Sequence, residues 1–229
     1  MASNDIRNNT VSAEGQMRLS SEVSFLGRED APVRILVLGN SITRHGPNAA
    51  IGWPYDWGMA ASAPERDYVH RLYQRLTDGG MDVYMRIRQA SAFEMHGHEW
   101  GDFSVYEEER AFGADHIVFR LGENVVRGQV EGFGESARAL LSYLDTRGAH
   151  VICAPCFWPN ETVDAQIREV AVACGYTLVE LAQLSADERT MALGLFEHSG
   201  VAMHPGDYGM DCIAALLADA ILKNGKGNV

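Results

Sequence analysis

Three polar residues that lie far apart along the 229-residue chain carry the side chains used in acyl transfer: Ser41, Asn124 and His204. A serine hydroxyl is a weak nucleophile until a neighbouring base such as histidine accepts its proton. An asparagine amide can donate to the oxyanion that nucleophilic attack creates. Each residue also has a structural alternative: Ser41 could cap a helix, Asn124 could bond its own turn, and His204 could be an ordinary loop histidine. The chemistry therefore depends on whether the fold brings the three together.

The rest of the sequence predicts elements that would do so. Short apolar runs alternate with stretches of helical periodicity, a pattern typical of parallel strands joined by crossover helices. Strands are predicted over residues 33–38, 83–87, 117–121, 151–154 and 176–179, and helices over about 62–76, 101–113, 129–147, 161–173 and 207–222. A capping box at Ser62 and Glu65 would open the first helix, and Asp207 would cap the last.

The predicted fold is a three-layer α/β/α sandwich with a five-stranded parallel sheet, formed as one domain by residues 31–229. Residues 1–30 are polar and aperiodic, and they predict a mobile N-terminal arm that could include a short packed segment near residues 23–26. Ligands of open α/β sheets bind beyond the carboxyl ends of the strands. Ser41 follows the first predicted strand, Asn124 follows the third, and His204 precedes the last helix. We therefore expect all three at one edge of the sheet.

The segments around these residues resemble a known family. Residues 39–43, Gly-Asn-Ser-Ile-Thr, resemble the Gly-Asp-Ser-Ile/Leu block of the SGNH (GDSL-type) esterases and lipases, with Asn in place of Asp. Residues 122–124, Gly-Glu-Asn, resemble the Gly-x-Asn block of that family, and residues 204–205, His-Pro, resemble its histidine block. The resemblance spans about residues 33–222 and implies a flavodoxin-like SGNH fold.

The resemblance also implies a role for each residue. Ser41 would be the nucleophile, and His204 would be the base that takes its proton. Asn124 and the backbone N–H of Ser41 would bind the oxyanion. No cofactor and no metal are implied.

The chain departs from the family pattern in two places. The glycine whose N–H completes the oxyanion hole is missing after the second strand, where the N–H of Phe93 or, in preference, Glu94 could replace it. The acid that the family places three residues before the histidine is replaced by Val201. The carboxylates of Glu197, Glu94 and Glu123 could orient the imidazole, and a backbone carbonyl that gives a Ser–His dyad is an equal alternative.

Candidate substrate-binding residues lie in the predicted loops and strands. Trp53 and Trp57 follow the nucleophile in a long loop, and they could stack on a sugar ring or anchor the loop to the body. Arginines 86, 88 and 120 lie in apolar strands and need partners, for which Glu94 and Glu123 are candidates. Arg88 could alternatively bind a carboxylate-bearing substrate such as a uronic acid, and Glu123 is a further candidate substrate contact, although internal ion pairs are favoured.

Two other motifs predict different chemistry with less support. Cys153 and Cys156 form a C-x-x-C motif that could be a dithiol redox site, but free cysteines are commonly buried as small apolar residues. His96, His98 and Glu99 could bind a metal, although a solvated turn is the better interpretation. No second C-x-x-C or histidine pair completes a zinc site.

Composition excludes several classes of partner. The formal net charge of −12 and a pI near 5.0 argue against nucleic acid and against anionic membrane surfaces. Residues 1–9 are polar and lack the apolar core of a signal peptide, so a cytoplasmic location is the default expectation, with a trimmed secretion signal not excluded.

The sequence predicts an esterase that removes small acyl groups through an acyl-serine intermediate, with O-acetyl groups on carbohydrate as the expected substrate. A non-catalytic carbohydrate-binding module and an acyltransferase on the same fold are the alternatives. The oligomeric state is left open.

Overall fold

A six-stranded sheet forms the centre of the fold, which the computed structural model describes over residues 22–96, 101–126 and 130–225. The strand order is β1-β3-β2-β4-β5-β6, and all neighbours are parallel except β1, which runs antiparallel to β3 at one edge. The strands are β1 (Val23–Leu26), β2 (Val33–Gly39), β3 (Val83–Gln89), β4 (His116–Arg120), β5 (His150–Cys153) and β6 (Thr177–Leu178).

The prediction of five strands is therefore wrong by one. The additional strand, β1, lies in the segment assigned to the N-terminal arm, at the place where a short packed segment was considered. It is an edge strand of four partly exposed residues, so it lacks the continuous apolar run that marks the central strands. Residues 1–21 of the predicted arm lie outside the described residues.

Helices cover both faces of the sheet. They are α1 (Tyr68–Asp78), α2 (Ser91–His96), α3 (Glu107–Phe112), α4 (Phe133–Leu144), α5 (Glu161–Cys174), α6 (Ala182–Ser185), α7 (Ser199–Ala202) and α8 (Asp207–Gly225). Within the described ranges, no helix is both long and apolar enough to cross a membrane.

The central strand β2 shows how the sequence builds three layers. Ile35 and Val37 pack into a core with α1 and α8, whereas Leu36 and Leu38 pack into a second core with α2 to α5. All four side chains are fully buried. A strand with apolar residues at every position can only lie between two layers, so this arrangement confirms the predicted α/β/α class.

The start of α1 differs from the prediction. Asp67 caps this helix by accepting the amide hydrogen of His70 at 2.8 Å, so the capping box at Ser62 does not form. The Ser62 amide and hydroxyl instead donate to the carboxylate of Asp207 at 2.8 and 2.7 Å. This contact ties the segment before α1 to the first residue of α8.

Candidate active site

Ser41 lies in a tight turn directly after β2. The Thr43 amide donates to the Asn40 carbonyl at 2.9 Å, so the chain turns back at once. A Cβ on Gly39 would lie 1.8 Å from the Thr43 hydroxyl oxygen, and this close approach requires glycine. The turn places Ser41 Oγ 2.8 Å from His204 Nε2. The structure thus brings together two of the three residues that the sequence singles out for acyl transfer.

His204 is held from three sides. Its carbonyl accepts the amide hydrogen of Ala192 at 2.9 Å, which fixes the backbone just before α8. Its Nδ1 lies 2.7 Å from the carbonyl oxygen of Gly200, one helical turn earlier in α7. The ring of Trp158 packs edge-on against the imidazole, with centroids 5.1 Å apart. These contacts fix the ring with Nε2 toward Ser41.

The hydrogen bonds also define the protonation state of His204. A backbone carbonyl can only accept, so Nδ1 carries the ring proton and the lone pair of Nε2 accepts the Ser41 hydroxyl hydrogen. Burial lowers the pKa of His204 to about 4; the bond to Gly200 opposes this shift, and the neighbouring His45 and Arg120 add to it. The imidazole is therefore a neutral base at neutral pH.

The prediction of Glu197 as the orienting acid is wrong. The backbone carbonyl of Gly200 occupies the place that an acid would take beside Nδ1 of His204. Glu197 is exposed and lines a neighbouring cavity instead. Of the alternatives that the sequence left open, the structure has the Ser–His pair oriented by a backbone carbonyl.

A cavity of about 270 Å³ opens above Ser41 and His204. Asn124, which follows β4, also lines it, so the cavity contains all three predicted residues. Its remaining wall is largely apolar and includes Ile51, Met59, Met95 and Val201. A second cavity of about 540 Å³ shares Ile51 and His198 with the first and extends along residues 49–52 and 195–198.

The Glu94 side chain does not orient His204, and Glu94 does not line the cavity in which an oxyanion donor would lie. Its buried carboxylate accepts hydrogen bonds from the Asn124 amide, from the Gly122 N–H and, at 2.9 Å, from the Asn40 amide. It does not contact His204 and does not line the cavity. Burial and the nearby charge of Glu123 raise the pKa of Glu94 to about 7.

The end of β3 contributes other groups to the cavity. The Phe93 N–H, the other predicted oxyanion donor, is bonded to the Ala90 carbonyl at 2.9 Å. Ser91 lines the cavity, and its hydroxyl oxygen accepts from Gln89 Nε2 at 2.7 Å, which leaves the hydroxyl hydrogen without an acceptor in the described part of the chain. Ser91 was not predicted from the sequence, although its position two residues after the end of β3 could have indicated it.

The structure does not support a substrate role for Glu123, and it places Arg88 outside the cavity that contains Ser41. Glu123 is buried and accepts from Arg120 at 2.6 Å, from the Asn40 amide at 2.6 Å and from the Phe157 N–H at 3.0 Å. Arg88 does not line the cavity that contains Ser41. It pairs with Glu22 at 3.1 Å and lines another cavity, which shares Gln89 with the first. The favoured alternative of internal ion pairs describes both side chains.

Trp53 and Trp57 anchor their loop rather than form a substrate wall. Trp53 is fully buried, and its indole N–H donates to the His45 carbonyl at 3.0 Å. Trp57 donates to the Ala61 carbonyl at 2.9 Å. Neither lines the cavity that contains Ser41, so of the two alternatives that the sequence left open the structure favours the anchor. The loop that they hold supplies Ile51 and Met59 to the cavity wall.

Neither cysteine of the C-x-x-C motif is placed for redox chemistry, and the histidine motif lies only partly within the described residues. Cys153 and Cys156 are buried, and burial raises the pKa of both thiols, that of Cys153 to about 12. Such thiols are not poised as redox nucleophiles. His96 ends α2, whereas His98 and Glu99 lie outside the described residues. Across the described ranges, no three His, Cys, Asp or Glu side chains form a group that could hold a metal.

Known structures share this arrangement of elements. The psychrotrophic esterase EstA from Pseudoalteromonas sp., in a structure inhibited by monoethylphosphonate, superposes with a TM-score of 0.58 at 16% identity, covering 85% of this chain and 99% of that chain. A protein described as a GDSL-like lipase from Parabacteroides merdae gives a TM-score of 0.56 at 16% identity over 85% of this chain and 96% of its own. The chain has the fold of the SGNH hydrolases.

A third neighbour with the SGNH fold is a two-domain esterase (CEX) active on acetylated mannans. It gives a TM-score of 0.51 at 17% identity and covers 83% of this chain and 49% of its own. No protein-family model and no curated sequence matches the chain. The resemblance read from the three sequence blocks is confirmed at the level of the SGNH fold.

Proposed function

We propose that this chain is a serine esterase that cleaves small ester groups through an acyl-serine intermediate. The observation that carries the proposal is the 2.8 Å contact between Ser41 Oγ and Nε2 of a neutral His204, inside a cavity that Asn124 also lines. Fold neighbours described as esterases and a GDSL-like lipase support the same class of reaction.

The mechanism follows from the hydrogen bonds at this contact. Ser41 Oγ attacks the ester carbonyl carbon while its proton moves to His204 Nε2. The carbonyl oxygen becomes an oxyanion that accepts from the Asn124 amide and the Ser41 N–H. The carbon–oxygen bond to the alcohol then breaks, and the alcohol leaves with the proton from Nε2. Water, deprotonated by Nε2, hydrolyses the acyl-serine and releases the acid.

The two cavities support a short acyl group and a larger alcohol. The first cavity, about 270 Å³ with the apolar side chains of Met59, Met95 and Val201 in its wall, is large enough to hold the reacting ester group together with a short acyl group. The adjoining cavity of about 540 Å³ offers room for the alcohol and contains Glu197 and His198, which can hydrogen-bond hydroxyl groups. We propose O-acetylated carbohydrate as the substrate, in line with the neighbour active on acetylated mannans.

A substrate series tests this proposal. Initial rates are measured with p-nitrophenyl esters of acetate, butyrate and octanoate, and acetate release is measured from acetylated mannan and xylan oligosaccharides. We expect the acetyl ester to react fastest and the Ser41→Ala variant to lose activity. Absence of turnover by the folded wild type would contradict the esterase proposal. Products formed with added alcohols distinguish hydrolysis from acyl transfer, since both proceed through the same intermediate.

A further inference from the structure

A cluster of buried polar residues lies beneath the nucleophile and is not part of the proposed reaction steps. It consists of Asn40, Glu94, Arg120 and Glu123, which come from the ends of β2 and β4 and from α2. Asn40 and Arg120 are fully buried and Glu94 is 1% exposed. Burying two carboxylates with one guanidinium is costly unless hydrogen bonds compensate for the lost hydration, so the arrangement calls for a reason.

Asn40 holds the two carboxylates apart and bonds to both. Its amide nitrogen donates to Glu94 at 2.9 Å and to Glu123 at 2.6 Å, which uses both amide hydrogens. Its carbonyl oxygen accepts from Arg120 at 3.2 Å and from the Ile42 N–H at 3.2 Å. An aspartate at this position would bring a third carboxylate against the other two. An asparagine at position 40, where the family block has an aspartate, is therefore able to donate to both buried glutamates.

Glu94 connects the buried cluster to Asn124 in the cavity wall. One carboxylate oxygen accepts from Asn40 and the Gly122 N–H, and the other accepts from the Asn124 amide nitrogen. Because an amide nitrogen carries two hydrogens, the bond to Glu94 leaves the second for an acceptor in the cavity. Oxyanion stabilisation depends on donors that are oriented before the reaction begins.

We infer that Glu94 is a positioning residue that fixes the Asn124 amide for oxyanion binding, and that Asn40, Glu123 and Arg120 hold Glu94 in place. This inference rests on the proposed esterase function. Glu94 contacts no reacting atom, and it acts only through Asn124. Its removal should therefore weaken binding of the transition state and leave binding of the ester unchanged.

Glu94→Gln is the most informative substitution, because it keeps the shape of the side chain and replaces one carboxylate oxygen by an NH₂ group. All three partners of the Glu94 carboxylate are N–H donors. The NH₂ group of a glutamine would therefore face an N–H donor, and its own hydrogens would find no acceptor there. Loss of one oxyanion donor costs about 10²–10³ in rate, which sets the upper limit for a residue that only orients that donor. We expect kcat to fall by roughly 10- to 10³-fold with little change in KM.

The experiment is a double-mutant cycle with p-nitrophenyl acetate on wild type, Glu94→Gln, Asn124→Ala and the double variant. If Glu94 acts through Asn124, the double variant is no slower than Asn124→Ala, within about threefold. Glu109→Gln is the matched control. Glu109 is an equally buried carboxylate that bonds Arg86 at 2.7 Å away from the cavity, so its loss should lower stability and leave kcat unchanged.

The outcomes separate the two proposals. Wild-type turnover with unchanged kcat in Glu94→Gln, or losses that multiply in the double variant, would overturn the positioning role and leave the esterase proposal intact. Absence of wild-type turnover would defeat the esterase proposal itself. If Glu94→Gln does not fold, Glu94→Asp replaces it: the charge remains, the carboxylate withdraws from Asn124 by one methylene, and the same loss confined to kcat is expected.

Discussion

The part of the pH–rate profile that belongs to His204 should lie unusually low in this protein. The base that activates Ser41 is His204, and burial lowers its pKa to about 4. The imidazole is active only when neutral, so the loss of activity that is due to His204 should appear only as the pH passes through about 4. The Glu94 carboxylate, whose pKa is raised to about 7, is protonated at a higher pH, so the His204 limb is measured in the Glu94→Gln background. The perturbation that tests this reasoning is Val201→Asp, which places a carboxylate three residues before the histidine.

The magnitude follows from the charge. A carboxylate within about 4–6 Å of an imidazole favours the charged form and raises its pKa by about 1–3 units. At pH 5 about nine-tenths of the wild-type imidazole is neutral for a pKa of about 4. A rise to about 6 would leave about one-tenth neutral, so the variant should lose roughly tenfold in rate at that pH relative to its own plateau.

The assay is kcat/KM for p-nitrophenyl acetate from about pH 3.5 to about pH 9, followed at the isosbestic wavelength of p-nitrophenol and p-nitrophenolate so that no alkali is added to the ester. This parameter reports the free enzyme. Circular dichroism verifies the fold at each pH. Val201→Asn has nearly the same shape as Val201→Asp without the charge, and its profile should match that of the wild type. A midpoint at or above about pH 6.5 in Glu94→Gln, with the fold intact, would refute the reasoning. A wild-type decrease near pH 7 that is absent from Glu94→Gln belongs to Glu94 instead.

Three further predictions concern other parts of the fold. His116 lies 3.2 Å from His150 and has its pKa lowered to about 4, mainly by burial. Between about pH 6.5 and about pH 4 the unfolded chain therefore binds protons more readily than the folded chain does. The urea midpoint should fall as the pH is lowered through that window, and it should fall less in His116→Gln. An equal dependence of the midpoint on pH in the variant would contradict this. Trp53→Ala should lower the free energy of unfolding by about 3–5 kcal/mol in urea titrations, and loss of sugar affinity at unchanged stability would instead favour a binding role. Cys153 and Cys156 should resist iodoacetamide at pH 8 until the chain is unfolded, as read by intact mass, whereas fast alkylation of native protein would show an accessible thiolate.

The central strands and the edge of the sheet that carries Ser41 could be predicted from sequence. Apolar residues at every position of β2 require burial on both faces, and a parallel sheet then places the ends of its strands at one edge. The three residues Ser41, Asn124 and His204 were found because each follows or precedes an element whose type was clear. Their proximity could be predicted because the ends of the parallel strands lie at the same edge of the sheet.

The partners of the long side chains could not be predicted in the same way. Glu94, Glu123 and Arg88 each reach several ångströms from the backbone, so their partners depend on packing between distant elements. Arg120 and Glu123 pair across three residues, and Glu123 was one of the two candidate partners that the sequence offered. The orienting group of His204 is a backbone carbonyl, and no side chain in the sequence marks it.

The tryptophans show a different limit. A loop with Trp53 and Trp57 beside a nucleophile is compatible with both a substrate wall and an anchor, because large aromatics stabilise either arrangement. Only the carbonyl partners of the two indole groups, on His45 and Ala61, decide between them. Those partners belong to the loop itself and appear only once it is folded.

The measurement that tests the central claim most directly is covalent labelling with a fluorophosphonate, followed by intact mass and peptide mapping. The account predicts one adduct per chain on Ser41, none on Ser41→Ala, and a much slower reaction in His204→Ala. Slow labelling in His204→Ala at full stoichiometry would still identify Ser41 as the nucleophile and the imidazole as its base. Absence of labelling in folded wild type, or labelling of another serine at the same rate, would contradict the account.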